Sequence, residues 1–297
     1  MLGNGKWMAA TRKGQGVRII ESPIEMQQIA EDSRLQGKSV GLVPTMGALH
    51  EGHLSLIRRC RAENDLVIMS LFVNPTQFHR RDELEKYPRD LERDSRMARA
   101  AGVDIISAPT VPAMYPDGYL TYVTVEHLTA RWEGAARPGH FRGVATICTK
   151  LFTICRPHRA YFGQKDYQQS LVIRRLVADL NLGVEILVLP TVREPDGLAL
   201  SSRNVLLRPE ERRQARVLSQ ALFHAQEAVR SGERDAKRLA ATMEAHIRSA
   251  PLAVLDYLGV CDPETLEPLE TVLGKAVAVV AAGFGSTRLI DNAILEP

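Results

Sequence analysis

Two histidines three residues apart carry the most chemistry in this chain. They lie in the run Pro44-Thr45-Met46-Gly47-Ala48-Leu49-His50-Glu51-Gly52-His53, which follows an apolar stretch and leads into a helical pattern. In an open α/β sheet, ligands sit at such strand ends, and the unpaired N–H groups of the following helix attract anions. His50 and His53 face the same way from the first helical turn, and Gly47 and Gly52 let a ligand approach the backbone. Far downstream, Leu200-Ser201-Ser202-Arg203 sets two hydroxyls beside a guanidinium suited to phosphate. Between them, Gly163-Gln164-Lys165-Asp166-Tyr167-Gln168-Gln169 again joins a strand to a helix. Lys165 there offers a point charge to phosphate oxygens, and Asp166 a carboxylate either for Mg2+ or for capping the helix. Together these runs describe a pocket that grips a nucleoside triphosphate without a P-loop, which points to attack at the α-phosphate and away from kinases.

A zinc site is the rival use of the histidines, but His-Glu-x-x-His is absent and no third ligand stands nearby. Asn74 and Gln77 follow another buried strand, which Pro75 ends. Their amides suit hydroxyls or a carboxylate whose charge must stay free. Gly283-Phe284-Gly285 lacks the third glycine and the helix of a dinucleotide fold. The charge-rich residues 79–99 read as a solvated face, and residues 131–143, rich in Gly and Arg, as either a lid or a plain loop.

The elements that must hold these groups alternate. Strands are expected over residues 39–43, 66–73, 103–107, 119–125, 159–162 and 184–189, and helices over 52–64, 89–101, 143–155 and 166–180. After Pro190 the pattern becomes two long helices, 209–231 and 234–249, then strands at 254–260, 276–281 and 288–295. This predicts an α/β chain: a Rossmann-like, doubly wound parallel sheet over residues 1–190, and a second, smaller α+β C-terminal domain over 191–297 that closes over the site. Residues 1–16 read as a mobile tail without the apolar middle of a signal peptide.

The 297 residues are 45% apolar and 25% charged, ordinary for a chain with a substantial core. A net charge of +3 and 5% aromatics give no case for nucleic acid, and no apolar run reaches membrane-span length. Cys60, Cys148, Cys155 and Cys261 form no Cys-x-x-Cys pair and are expected as free thiols in the cytoplasm.

Taken together, these residues resemble the pantothenate synthetase (pantoate–β-alanine ligase) family of the nucleotidyltransferase superfamily with its His-x-Gly-His signature, from about Val17 to the end. The resemblance implies that Met46, Gly47, Ala48, Leu49, His50, Glu51, Gly52 and His53 line the ATP site, with His53 catalytic. It adds Gly163, Gln164, Lys165, Asp166, Val192, Leu200, Ser201, Ser202 and Arg203 to that site. His50, Lys165 and Arg203 then join His53 in the reaction as donors to the triphosphate and the departing pyrophosphate. The resemblance implies that Gln77 and Gln169 hold pantoate and that Gln77 also lies near β-alanine; Asn74, read from its place at the strand end beside Gln77, is expected in the same subsite. Mg2+ with ATP, a cytoplasmic homodimer and small-molecule partners complete what it implies. The chain departs from many relatives at Gln164 and Leu200, neither position obviously needing a charge. The alternative is an adenylyltransferase of the same superfamily acting on a phosphate acceptor.

Overall fold

The computed structural model describes residues 17–297, so the tail expected over residues 1–16 lies outside the described residues. In chain order the first part comprises β1 (Arg18–Ile20), α1 (Pro23–Leu35), β2 (Val40–Thr45), α2 (Glu51–Glu63), β3 (Leu66–Leu71), α3 (Arg81–Lys86), α4 (Leu91–Ala101), β4 (Ile105–Ser107), α5 (Val111–Met114), α6 (Trp132–Ala136), α7 (His140–Cys155), β5 (Arg159–Gly163), α8 (Tyr167–Asp179) and β6 (Glu185–Leu189). There follow α9 (Pro209–Ala215), α10 (Val217–Arg230), α11 (Ala236–Arg248), β7 (Ala253–Cys261), β8 (Ala276–Phe284) and β9 (Thr287–Leu295).

The first six strands form one parallel sheet in the order β1-β4-β3-β2-β5-β6. Val40, Leu42 and Val43, like Val67, Ile68 and Met69, are wholly buried because helices cover both faces. Met26 and Ala30 of α1, Val144 of α7 and Ile173 of α8 fill one side. Leu56, Ile57 and Cys60 of α2 with Ala98 of α4 fill the other. From β2 the chain runs outward to β3 and β4, then returns to place β5 on the opposite flank of β2. The order therefore reverses between β2 and β5, and a crevice opens there at the carboxyl ends of the strands.

The second sheet is an antiparallel meander, β7-β8-β9. Alternation along β8 serves two purposes: Ala276, Ala278, Val280 and Ala282 pack on α10 and α11, whereas Val277 and Val279 meet Leu171 of α8. The smaller α+β unit is thus seated directly on the large sheet's helical layer.

Several expectations are corrected. Residues 119–125 form no strand and pair with neither sheet; the Val123 N–H instead donates to Thr146 Oγ1 of α7. The single helix expected over 209–231 breaks at Arg216 into α9 and α10. Arg18–Ile20 and Pro23–Leu35, unassigned from the sequence, form β1 and α1, the latter capped by Ser22 accepting from the Glu25 N–H. Residues 79–99 are not simply a solvated face, because Asp94 is fully buried and Glu83 half-buried. Gly283 to Gly285 form the β8–β9 hairpin with Gly285 at φ +58°, and all four cysteines are buried and unpaired.

Candidate active site

The β2–α2 junction is shaped by one carboxylate. Asp94 of α4 accepts the Ala48 and Leu49 N–H groups at 2.8 and 2.9 Å. Gly47 (φ +87°) and Ala48 (φ +51°) turn through left-handed conformations to make this possible. A Cβ on Gly47 would stand 2.9 Å from the Asp94 carboxylate, so the position needs glycine on two counts. The turn delivers His50 as the N-cap of α2, its Nδ1 accepting the Gly52 N–H at 3.1 Å. His53 Nδ1 accepts the His50 N–H at 3.4 Å, and the two ring centroids lie 4.1 Å apart. Burial and the nearby Lys165 cation push His50 down to about 4; burial, His50 and Lys165 push His53 down to about 3. Both imidazoles are therefore neutral at pH 7, with the proton on Nε2.

The β5–α8 junction lies across the crevice. Lys165 is mostly buried and stands 3.8 Å from the Asp166 carboxylate. Asp166 is positioned as the N-cap of α8, yet its side chain accepts no helix N–H, so the capping role is not observed. The carbonyls of Gln164 and Lys165 both accept from the Asn292 amide of β9.

The loop after β6 brings the third group. Its ends pair at Leu200 N–H to Val192 O, 3.0 Å, and it turns at Gly197 (φ +93°). Arg193 anchors it by two hydrogen bonds, 2.6 and 2.9 Å, to the buried Asp291 carboxylate. Burial raises Asp291, against the pull of Arg193. Removing the guanidinium strands that charge, so Arg193→Ala is expected to cost about 3–5 kcal/mol in a denaturation midpoint experiment. Replacing both partners by apolar residues should recover most of the loss; a single variant as stable as the parent sinks the argument. At the loop's end Arg203 hydrogen-bonds Glu83 of α3, and Ser202 lines the cavity with Tyr87.

The Asn74 side chain lines the cavity but is hydrogen-bonded within the chain. Its amide nitrogen donates to Gly143 O at 3.1 Å and to Gln77 Oε1 at 3.0 Å, while its oxygen accepts from Tyr115 and Thr76. The consequence is useful: Gln77 Oε1 is spent, so its NH2 is what remains to be offered. Gln169 makes no side-chain hydrogen bond among the described residues. Its neighbour Gln168 is fully committed to Leu128 O, Arg131 O and the Glu133 N–H.

One cavity of about 900 Å3 gathers these groups. Met46, His50, Gly52 and His53 line it after β2; Asn74 and Gln77 after β3; Gly163, Lys165, Asp166 and Gln169 after β5. Val192, Leu200, Ser201, Ser202 and Arg203 complete it. Five expected residues do not line it. Gly47, Ala48 and Leu49 are absorbed in the Asp94 turn, Glu51 faces outward to Arg58, and Gln164 turns to Asn292. A second cleft of about 470 Å3, around His224 and His246, contains none of these motifs.

Sequence reasoning missed the wall formed by α3 and α6. Burial opposes the ionisation of Glu83, but Arg203 and Arg137 hold its carboxyl below the usual range. Glu133 resists burial in the same way, held low by Arg288 of β9. Arg137 and His140 also line the cavity. Residues 131–143 are thus neither a free lid nor a plain loop. Trp132 donates to Leu266 O at 2.9 Å and packs where a Cβ on Gly259 would collide, bolting the segment to the second sheet.

Comparison with known proteins agrees with this geometry. The family model described as pantoate-beta-alanine ligase matches residues 18–294. A pantothenate synthetase of Acetivibrio thermocellus is 53% identical over 280 residues, covering 94% of this chain and 100% of that protein. The crystal structure of pantothenate synthetase from Thermus thermophilus superimposes with a TM-score of 0.89 at 48% identity, covering 95% of this chain and 100% of the other. That of pantoate-beta-alanine ligase from Francisella tularensis, complexed with beta-gamma ATP and beta-alanine, gives 0.78 at 34% identity, covering 94% and 97%.

Proposed function

Because the chain belongs to the pantoate–β-alanine ligase family, we propose a division of labour among the residues of its cavity. The enzyme is a ligase that condenses pantoate with β-alanine to give pantothenate, consuming ATP. In the first half-reaction a pantoate carboxylate oxygen attacks the α-phosphorus, and the bond to the β-phosphate oxygen breaks, releasing pyrophosphate. In the second, the β-alanine nitrogen attacks the acyl carbon of the pantoyl adenylate, and AMP leaves with the C–O electron pair. Neither step needs a covalent enzyme intermediate, so alignment and charge neutralisation are what the protein supplies.

The observation carrying this reading is convergence at the switch-point crevice: His50 and His53 after β2, Lys165 after β5, and Ser201 to Arg203 from the loop all border one cavity. His50 and His53 donate from Nε2 to the triphosphate, Lys165 and Arg203 neutralise the departing pyrophosphate, and the Ser201 and Ser202 hydroxyls add donors. Gly52, Gly163, Met46, Val192 and Leu200 give the nucleotide its walls. Gln77, its NH2 freed by Asn74, and Gln169 hold pantoate without cancelling the charge of the attacking carboxylate. An arginine clamp there would blunt the nucleophile.

Asp166 suits a Mg2+ carried by the triphosphate. Its side chain is uncommitted to the helix, and one carboxylate plus phosphate oxygens is a common Mg2+ donor set. Residues 191–297 act as the smaller domain that closes on residues 1–190. A homodimer is supported by residues 119–124, which lie without a ladder partner in the chain and leave Leu120 87% exposed. A cytoplasmic setting is supported by the four free thiols. No helix among the described residues is long and apolar enough to cross a membrane.

Isotope exchange between ATP and pyrophosphate tests the reading. Exchange should require pantoate and proceed before any β-alanine is added; exchange without pantoate, or none until β-alanine is present, overturns it. Gln169→Ala is expected to raise the KM for pantoate about tenfold or more, the cost of one lost hydrogen bond to a charged group, with the KM for ATP little changed. A loss confined to ATP would contradict that role.

A further inference from the structure

Four histidines line the cavity, of which His79 is exposed; among the other three, one differs in which nitrogen it leaves bare. His50 and His53 each accept a backbone N–H on Nδ1, so they present Nε2–H donors. His140, at the start of α7, is held the opposite way round. Its Nδ1 stands 2.9 Å from the Gln77 carbonyl oxygen, and a carbonyl only accepts. Nδ1 therefore carries the proton and Nε2 keeps its lone pair. The hydrogen-bond partner of Nε2 among the described residues is an Arg137 nitrogen at 3.5 Å, the outer limit of a hydrogen bond, so the lone pair is barely engaged.

Resting on the ligase reading above, we propose that His140 is the general base of the second half-reaction, its Nε2 taking the proton that the β-alanine nitrogen sheds as the amide bond forms. The balance is simple. β-Alanine reacts as its free amine, having lost one proton to solvent. Its nitrogen lone pair forms the C–N bond, the C–O bond to AMP breaks, and the remaining surplus proton passes from nitrogen to His140. The imidazolium so formed lies among the Glu133, Asp166 and Glu83 carboxylates, which oppose Arg137, and then releases its proton to water.

Burial and Arg137 push His140 down to about 4, so the ring is in its base form at neutral pH. The N–H of a tetrahedral adduct is far more acidic than the ammonium of β-alanine itself, so a weak base is sufficient there. The first half-reaction has no such need, because the attacking carboxylate carries no proton. Nor do His50 and His53 offer a competing lone pair, both having committed Nδ1 to the backbone.

The test exploits that separation. His140→Asn sets an amide nitrogen near the former Nδ1, able to donate to the Gln77 carbonyl, and puts nothing at Nε2. Pantoate-dependent ATP:pyrophosphate exchange should stay within about threefold of the parent. Pantothenate formation should fall about 10²-fold or more, the usual worth of a general base, and recover in part with added imidazole. Equal losses in both assays would mean that the ring only holds Gln77 in place, and turnover within threefold of the parent would mean that no base acts there; either result overturns the proposal. A parent enzyme that fails pantoate-dependent exchange would instead overturn the ligase reading, independently of His140.

Discussion

His53→Ala is expected to lower the rate of adenylate formation by about 10²–10³-fold, the cost of removing one well-placed donor from a developing charge. The ring is half-buried at the helix start, neutral, and oriented by the His50 backbone, so its Nε2–H is aimed into the cavity before the nucleotide arrives. That preorganisation is what gives a single donor such weight. Single-turnover adenylation, followed by pyrophosphate release, is the measurement that counts. ATP affinity should change far less than rate, because the charge transferred to the departing pyrophosphate appears only in the transition state. A variant that forms adenylate at near-parent speed removes His53 from the chemistry. One that loses ATP binding and rate by the same factor makes it a ground-state ligand.

How far the sequence carried this picture depended on how local the signal was. The junctions after β2 and β5 were legible, because a strand end, a glycine and a polar residue at a helix start are neighbours in the chain. Their convergence followed from the strand–helix alternation, which forces a parallel sheet with a reversal point. The residues that shape those junctions were not legible. Asp94 sits in an interleaved charge pattern indistinguishable from a solvated face, and its burial follows only from how α4 packs on α2. Glu83 was hidden in the same run for the same reason. Asn74 and Gln77 looked alike as amides, and only the approach of Gly143, whose Cβ would come 2.5 Å from Thr76 O, makes one the support of the other. Residues 119–125 had the composition of a strand but no ladder partner among the described residues, and pairing is a property that a single segment cannot announce.

The same burial that tunes the site makes the fold sensitive to acid. His50, His53 and His140 have pKa values of about 4, 3 and 4 when folded, whereas an unfolded histidine titrates near ~6.5. Folded values below the unfolded one mean that, between these limits, only the unfolded chain takes up the protons. Their contribution to stability is thus intact above pH 6.5 and is lost progressively as the pH falls toward 4. A depressed histidine of this kind costs roughly 2 kcal/mol by pH 5, so the three rings together should remove several kcal/mol. Urea midpoints measured without ligand at pH 7.5, 6.5, 5.5 and 5.0 read this directly, and the fall should begin below 6.5. His140→Asn, which removes one titrating ring while keeping a donor to Gln77, should flatten the slope by about a third. A midpoint that is level down to pH 5 would mean that the rings charge freely in the folded protein. In that case water reaches them, and the neutral, preorganised donors on which the adenylation argument rests would not exist.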